Sequence, residues 1–236
     1  MKYIKSILKK EALKQCNPVG MPLDPNSPLE PNPEGIVRSC SNSFARLLGE
    51  LQFIANATRP NIAYAVNRLV SYTANPSLQH VGALKHILWY LAGMKTYEII
   101  YKALPKQPSS FFGYADALYR NMDDCRLISG YVFLARNGAI TWSLRKQVSI
   151  TLSSTKAEYV SLSKAGQEAY WLRSLYTKLS LLHEDILTMI WGNNKGSIAI
   201  AKNPQFLKTI QAHSVKTRSI KGPLSHRGPR GLQWED

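Results

Sequence analysis

Asp116 and Glu158 are the acidic residues whose surroundings make a bare charge expensive, and they are therefore where chemistry is expected first. Glu158 extends, by one turn, an apolar stripe of Leu162, Ala165, Ala169, Leu172 and Tyr176 at helical spacing within 153–179. Asp116 lies in a strand-like run, 111–118, where period-two alternation groups it with Phe112, Tyr114 and Leu118 on one face. One carboxylate on a strand and another on the core side of a helix form the oxygen donor set that a hard divalent cation takes. Such an ion would offset the cost of burying both charges. Glu158 has a second reading, because Thr155-x-x-Glu158 is also a capping box in which the Glu returns to the N-cap amide. The two roles are compatible in one residue.

The elements that must position this pair follow from periodicity and punctuation. Short β-branched or aromatic runs at 97–101, 111–118, 129–135 and 139–144 read as strands, with Asn137-Gly138 as a hairpin turn. The long helix follows, then a buried-looking strand at 186–191 and a short helix at 195–202. That order predicts an α/β fold, a mixed sheet backed by helices. Upstream, three helices are expected. Phe44, Leu47, Leu48, Leu51 and Ile54 stripe the first; Ile62, Ala65, Val66, Leu69 and Val70 the second; Val81, Leu84, Ile87, Leu88 and Leu91 the third. Pro60 suits the first turn of the second helix. A short amphipathic helix is expected at 3–13, followed by six prolines from Pro18 to Pro33 that imply an extended linker.

Thirty Lys and Arg against fifteen Asp and Glu leave a net charge of +15, which favours a polyanionic partner, nucleic acid before an anionic membrane surface. Arg59, Arg68, Lys85 and His86 are candidates to meet phosphate, although scattered surface basics are the simpler reading. Three widely spaced cysteines, Cys16, Cys40 and Cys125, fit neither a disulfide framework nor a zinc site and suggest a reducing compartment. The basic N-terminus lacks a continuous apolar segment and no run approaches membrane-spanning length, so the expected location is intracellular, cytoplasmic or nuclear. Asp123-Asp124 reads as a solvated turn.

Several motifs occur together and in order: Gly113-Tyr-Ala-Asp-Ala, Ser129-Gly-Tyr-Val-Phe, Ile140-Thr-Trp-Ser, Lys146-Gln, Leu152-Ser-Ser-Thr-Lys-Ala-Glu-Tyr, Glu168-Ala-Tyr-Trp-Leu-Arg and Ser197-Ile-Ala-Ile-Ala-Lys-Asn-Pro. Together they resemble the ribonuclease H domain of copia-type LTR-retrotransposon Pol polyproteins. Ala57-Thr-Arg-Pro-Asn-Ile-Ala-Tyr and Ile87-Leu-Trp-Tyr-Leu-Ala-Gly resemble the connection that precedes that domain, and Tyr3-Ile-Lys-Ser-Ile-Leu-Lys resembles the end of the reverse transcriptase. The resemblance divides the chain into a polymerase-like end at 1–16, a Pro-rich linker at 17–42, a helical connection at 43–94 and a ribonuclease H-like domain at 95–206. A basic, disordered tail is expected at 207–236, so that the domain would lack its final strand and helix.

The resemblance implies Mg²⁺-dependent hydrolysis of RNA in RNA–DNA hybrids, with four carboxylates holding two ions about 3.5–4 Å apart. Asp116 matches the first carboxylate and Glu158 the second. Asn193 stands at the third position and would be a weak ligand, and Ser214 stands at a candidate fourth. Two divalent ions facing two carboxylates are under-neutralised, so a degenerate, catalytically impaired copy is expected. Asn61, Lys156, Trp89, Cys125 and Ile128 replace the family's usual Asp, Glu, Arg, Arg and Thr, each by a change a single transition can produce, which fits a decaying element. Two alternatives stay open: an active hybrid ribonuclease with a reduced metal site, and a non-enzymatic basic protein that binds nucleic acid.

Overall fold

A computed structural model describes residues 2–11, 17–24, 29–32, 38–102, 110–118, 127–147, 153–181, 187–202 and 215–219, with the backbone alone at 38–41 and 215–219. The chain divides into two compact units, Met1–Ile99 and Ile100–Asp236.

The first unit is helical. Helix α1 (Lys2–Lys10) buries Ile4, Ile7 and Leu8 and leaves its lysines in solvent. Helix α2 (Arg38–Ala57) starts inside the stretch assigned to the linker and buries the expected stripe from Phe44 to Ile54. Pro60 opens a 3₁₀ turn, Pro60–Ile62, that leads into α3 (Ala63–Val70), where a missing N–H costs nothing. Ile62, Ala65, Val66 and Leu69 are buried there, whereas Val70 is 38% exposed at the helix end. Helix α4 (Leu78–Gly93) contributes Leu84, Ile87, Leu88 and Leu91. All four helices share one aliphatic core, so α1 is part of this unit rather than a separate end. The proline-rich stretch is not merely a spacer, because Leu29 is buried in the same core.

The second unit is a mixed sheet of order β3-β2-β1-β4-β5. Strands β1 (Phe111–Leu118), β2 (Ile128–Ala135) and β3 (Gly138–Lys146) are antiparallel, and β4 (Thr188–Gly192) lies parallel to β1. The hairpin turn falls one residue earlier than expected. Arg136 and Asn137 hold φ of 50° and 66°, while Gly138 already pairs with Ala135. Helix α5 (Ser154–Lys178) buries Leu162, Ala165, Ala169 and Leu172 against Phe111, Ala115, Phe133, Ala135 and Ile190. Helix α6 (Lys195–Lys202) follows β4.

Two expectations are corrected. Residues 97–101 form no strand; Tyr97, Ile100 and Tyr101 are exposed, and the run lacks the alternation that gives a strand a buried face. The sheet also does not stop at β4. A fifth strand, β5 (Val215–Ser219), pairs parallel to it from Thr188↔Val215 to Gly192↔Ser219, within the stretch expected to be a structureless tail. Val215 and Thr217 alternate with Lys216 and Arg218, so basic composition masks a period-two pattern. The expected lack of a final helix falls on residues outside those described. No helix among the described residues is long and apolar enough to cross a membrane.

Candidate functional site

The alternation of β1 puts Phe111, Gly113, Ala115 and Ala117 on the buried side, and Asp116 on the opposite, exposed side near the strand's end. Asp116 therefore faces solvent rather than an apolar interior. Its Oδ1 accepts a hydrogen bond from the Ala117 amide at 3.0 Å. Glu158 Oε2 accepts from the same amide at 3.1 Å, so both carboxylates converge on one N–H at the β1–α5 junction. The structure tests one of the two readings of Glu158, the capping box. Helix α5 begins at Ser154 with Ser153 as N-cap and no side-chain cap bond, so Thr155 lies within the first turn and the capping box does not form. Glu158 reaches across to the strand instead.

Burial pushes the Glu158 carboxyl up to about 7, and the Asp116 charge and a hydrogen bond with Asp116 add to the rise against the opposing Ala117 amide. Because the folded value exceeds the ordinary 4.5, the fold holds this proton more tightly than the unfolded chain. Ionising Glu158 weakens the fold progressively as pH rises through about 7.

Asn193 follows β4. Parallel pairing of Tyr114 with Trp191 brings the residue two beyond each, Asp116 and Asn193, side by side. Asn193 Nδ2 donates to Asp116 Oδ1 at 3.0 Å. The neighbouring Asn194 faces the other way, where its Oδ1 accepts from Ser197 N at 2.9 Å and caps α6. Asp116, Glu158 and Asn193 thus come together. Ser214, Asp123, Asp124 and Cys125 lie outside the described residues.

Two polar residues that the spacing does not single out for this site bolt it together. Ser161, fully buried, donates from Oγ to Asp116 O at 2.6 Å and lies 3.0 Å from Gly130 O. Gln147, 1% exposed, donates from Nε2 to Ser129 Oγ at 2.7 Å and to Ala157 O at 3.0 Å. The signal for Ser161 is a small polar residue one turn from Glu158 at a core position. Its acceptors, 45 and 31 residues away, leave no local trace.

As a cation site the donor set is partial. Asp116 and Glu158 both present oxygens at the Ala117 amide, and the Asp116 charge disfavours ionising Glu158. Asn193 turns nitrogen, a donor, toward Asp116. Among the described residues no three His, Cys, Asp or Glu side chains cluster. Elsewhere, Arg59 is buried and donates to Met94 O at 3.0 Å, and His86 pairs with Met21 O at 3.0 Å. Arg59 is thereby removed from the candidate phosphate contacts.

No family model matches the chain. The retrovirus-related Pol polyprotein from transposon RE1 of Arabidopsis thaliana is 34% identical over 232 residues, 94% of this chain, and the chain spans about 15% of that polyprotein's length. The secreted RxLR effector protein 161 of Plasmopara viticola is 36% identical over 130 residues, covering 55% of this chain and 90% of that protein. Among solved structures, LC11-RNase H1 from compost aligns with 47% of this chain and 84% of its own at 16% identity. Its TM-score of 0.34 is too low to carry an argument. With RE1 and two further transposon polyproteins matching 87–94% of its length, the chain belongs to the copia-type, retrovirus-related Pol polyproteins of transposons.

Proposed function

We propose that the sheet unit is a ribonuclease H-like region whose metal site is impaired, in a chain that retains nucleic-acid binding. One observation carries the reading: Asn193, at the position where the family resemblance expects a carboxylate, directs its amide N–H to Asp116. Asp116 and Glu158 would hold a Mg²⁺ ion, whose chemistry is to stabilise negative charge on a phosphodiester oxygen. Ala117 N–H orients both carboxylates, and Ser161 and Gln147 fix the strand and helix that carry them. An amide in place of a third carboxylate leaves too little negative charge for two ions. A loss of several orders of magnitude in hybrid cleavage is the physical expectation, each tenfold step being about 1.4 kcal/mol.

The test is cleavage of an RNA–DNA hybrid by the whole chain with Mg²⁺ or Mn²⁺. Expected is no cleavage above an Asp116→Asn control, with activity rising in Asn193→Asp. Cleavage by the unaltered chain that Asp116→Asn and Glu158→Gln both abolish would overturn the impairment. The net charge of +15 supports the binding half of the proposal. Affinity for the hybrid should fall steeply with salt, and absent or salt-insensitive binding removes it.

A further inference from the structure

We propose that His80 is an acid-sensitive latch that holds the segment Leu29–Asn32 against the helical unit. The segment is strapped down by two residues of the turn between α3 and α4, Tyr72 and Asn75. Tyr72 donates its hydroxyl to Leu29 O at 2.8 Å, Asn75 Nδ2 donates to Asn32 O at 3.0 Å, and Asn32 Nδ2 returns a bond to Asn75 Oδ1 at 3.3 Å. The Tyr72 ring stacks on His80, with centroids 4.0 Å apart and planes 19° off parallel. His80 is thus the floor on which the strap's main anchor rests.

His80 is also half of a helix cap. Ser77 N donates to His80 Nδ1 at 2.9 Å, and His80 N reaches Ser77 Oγ at 3.4 Å, a capping box with imidazole in the place usually taken by Glu or Gln. Accepting at Nδ1 assigns the ring proton to Nε2, which is buried and completes no hydrogen bond. Protonation would be opposed three times. The ring is 0% exposed, so a charge there is desolvated. A proton on Nδ1 would oppose the Ser77 N–H at 2.9 Å, and only the Ser77 hydroxyl, 2.8 Å away, could accept it. The cation would sit in the first turn of α4, at the positive end of the helix dipole.

The groups around the ring offer little relief. Tyr72 comes from the turn after α3, and Glu30 from the strap presents its backbone carbonyl while its side chain is exposed. Burial lowers the His80 value below the ordinary 6.5, and among the described residues the Glu30 carbonyl is the influence opposing it. A base depressed by folding stabilises the fold fully above its unfolded value of 6.5 and loses that contribution as pH falls through the folded value. Acid therefore opens the cap, tilts the Tyr72 ring and frees the strap.

The test is hydrogen exchange of the full chain, normalised to intrinsic rates, from about pH 7.5 to about pH 5. Amides of the strap and of the first turn of α4 should lose protection roughly tenfold or more on acidification, the factor that one pKa unit represents. His80→Gln keeps a capping box that does not titrate and should abolish the pH dependence, which separates His80 from the half-buried His86 on the same helix. Equal loss in both proteins, or none in the unaltered chain, overturns the proposal. Should His80→Gln fail to fold, NMR titration of His80 in the unaltered chain decides alone: a midpoint at or above 6.5 overturns the latch and one below supports it.

Discussion

The two units fill their cores by opposite means. The helical unit packs mainly leucines and isoleucines from four helices, with Phe44, Ala55, Ala65 and Tyr90 among them. The sheet unit pairs extremes: Ala165 and Ala169 let α5 approach the strands, and Phe111 and Phe133 fill the space from the other side. Phe133 is fully buried, edge-on to Phe111 and Tyr131, and it pairs in register with Gly113. A core of like-sized aliphatics has many near-equivalent packings, whereas a large ring set against alanine and glycine has one.

That contrast can be broken most directly at Phe133. Phe133→Ala should cost the sheet unit about 3–5 kcal/mol, because no neighbouring side chain can collapse into the vacated volume. Urea unfolding followed by hydrogen exchange should show the loss in β1, β2 and α5 while α2–α4 keep their protection; uniform loss across both units would mean they unfold as one. Gly113→Ala is the next largest. A Cβ there would land on the Phe133 ring, so the swap should cost about 1–3 kcal/mol by overpacking although alanine suits a strand better than glycine. The smallest effect belongs to the helical unit, where Leu88→Met at a fully buried position should cost less than about 1.5 kcal/mol. A larger cost there than at Gly113 would reverse the comparison.

The same contrast explains what the sequence makes legible. The aliphatic stripes of α2 and α4 and the Leu162–Leu172 face of α5 repeat locally, so spacing alone places them. Strands β1 to β4 can be located to within a few residues for the same reason. The site is half legible. Asp116, Glu158 and Asn193 stand out by local surroundings and resemblance, and the structure brings them together. Which face of β1 is buried does not show in its composition. Phe112 and Tyr114 are large, but the inward side is the one lined by Phe111, Gly113 and two alanines, a choice set by α5 and Phe133 rather than by the strand itself. The supports at Ser161 and Gln147 depend on partners 10 to 45 residues distant, which no local pattern encodes. His80 reads as one more residue of a helix start, and only the stacked Tyr72 shows what it carries.

The position of β5 has a consequence in time. Among the described strands, the sheet order places β5, the latest in sequence, beside β4. A chain emerging from the ribosome can close the helical unit early, and can assemble β1–β3 with α5 soon after. Strand β4 must then wait, its outer edge unpaired, until Val215–Ser219 has been synthesised. During that interval it is open to any other extended chain.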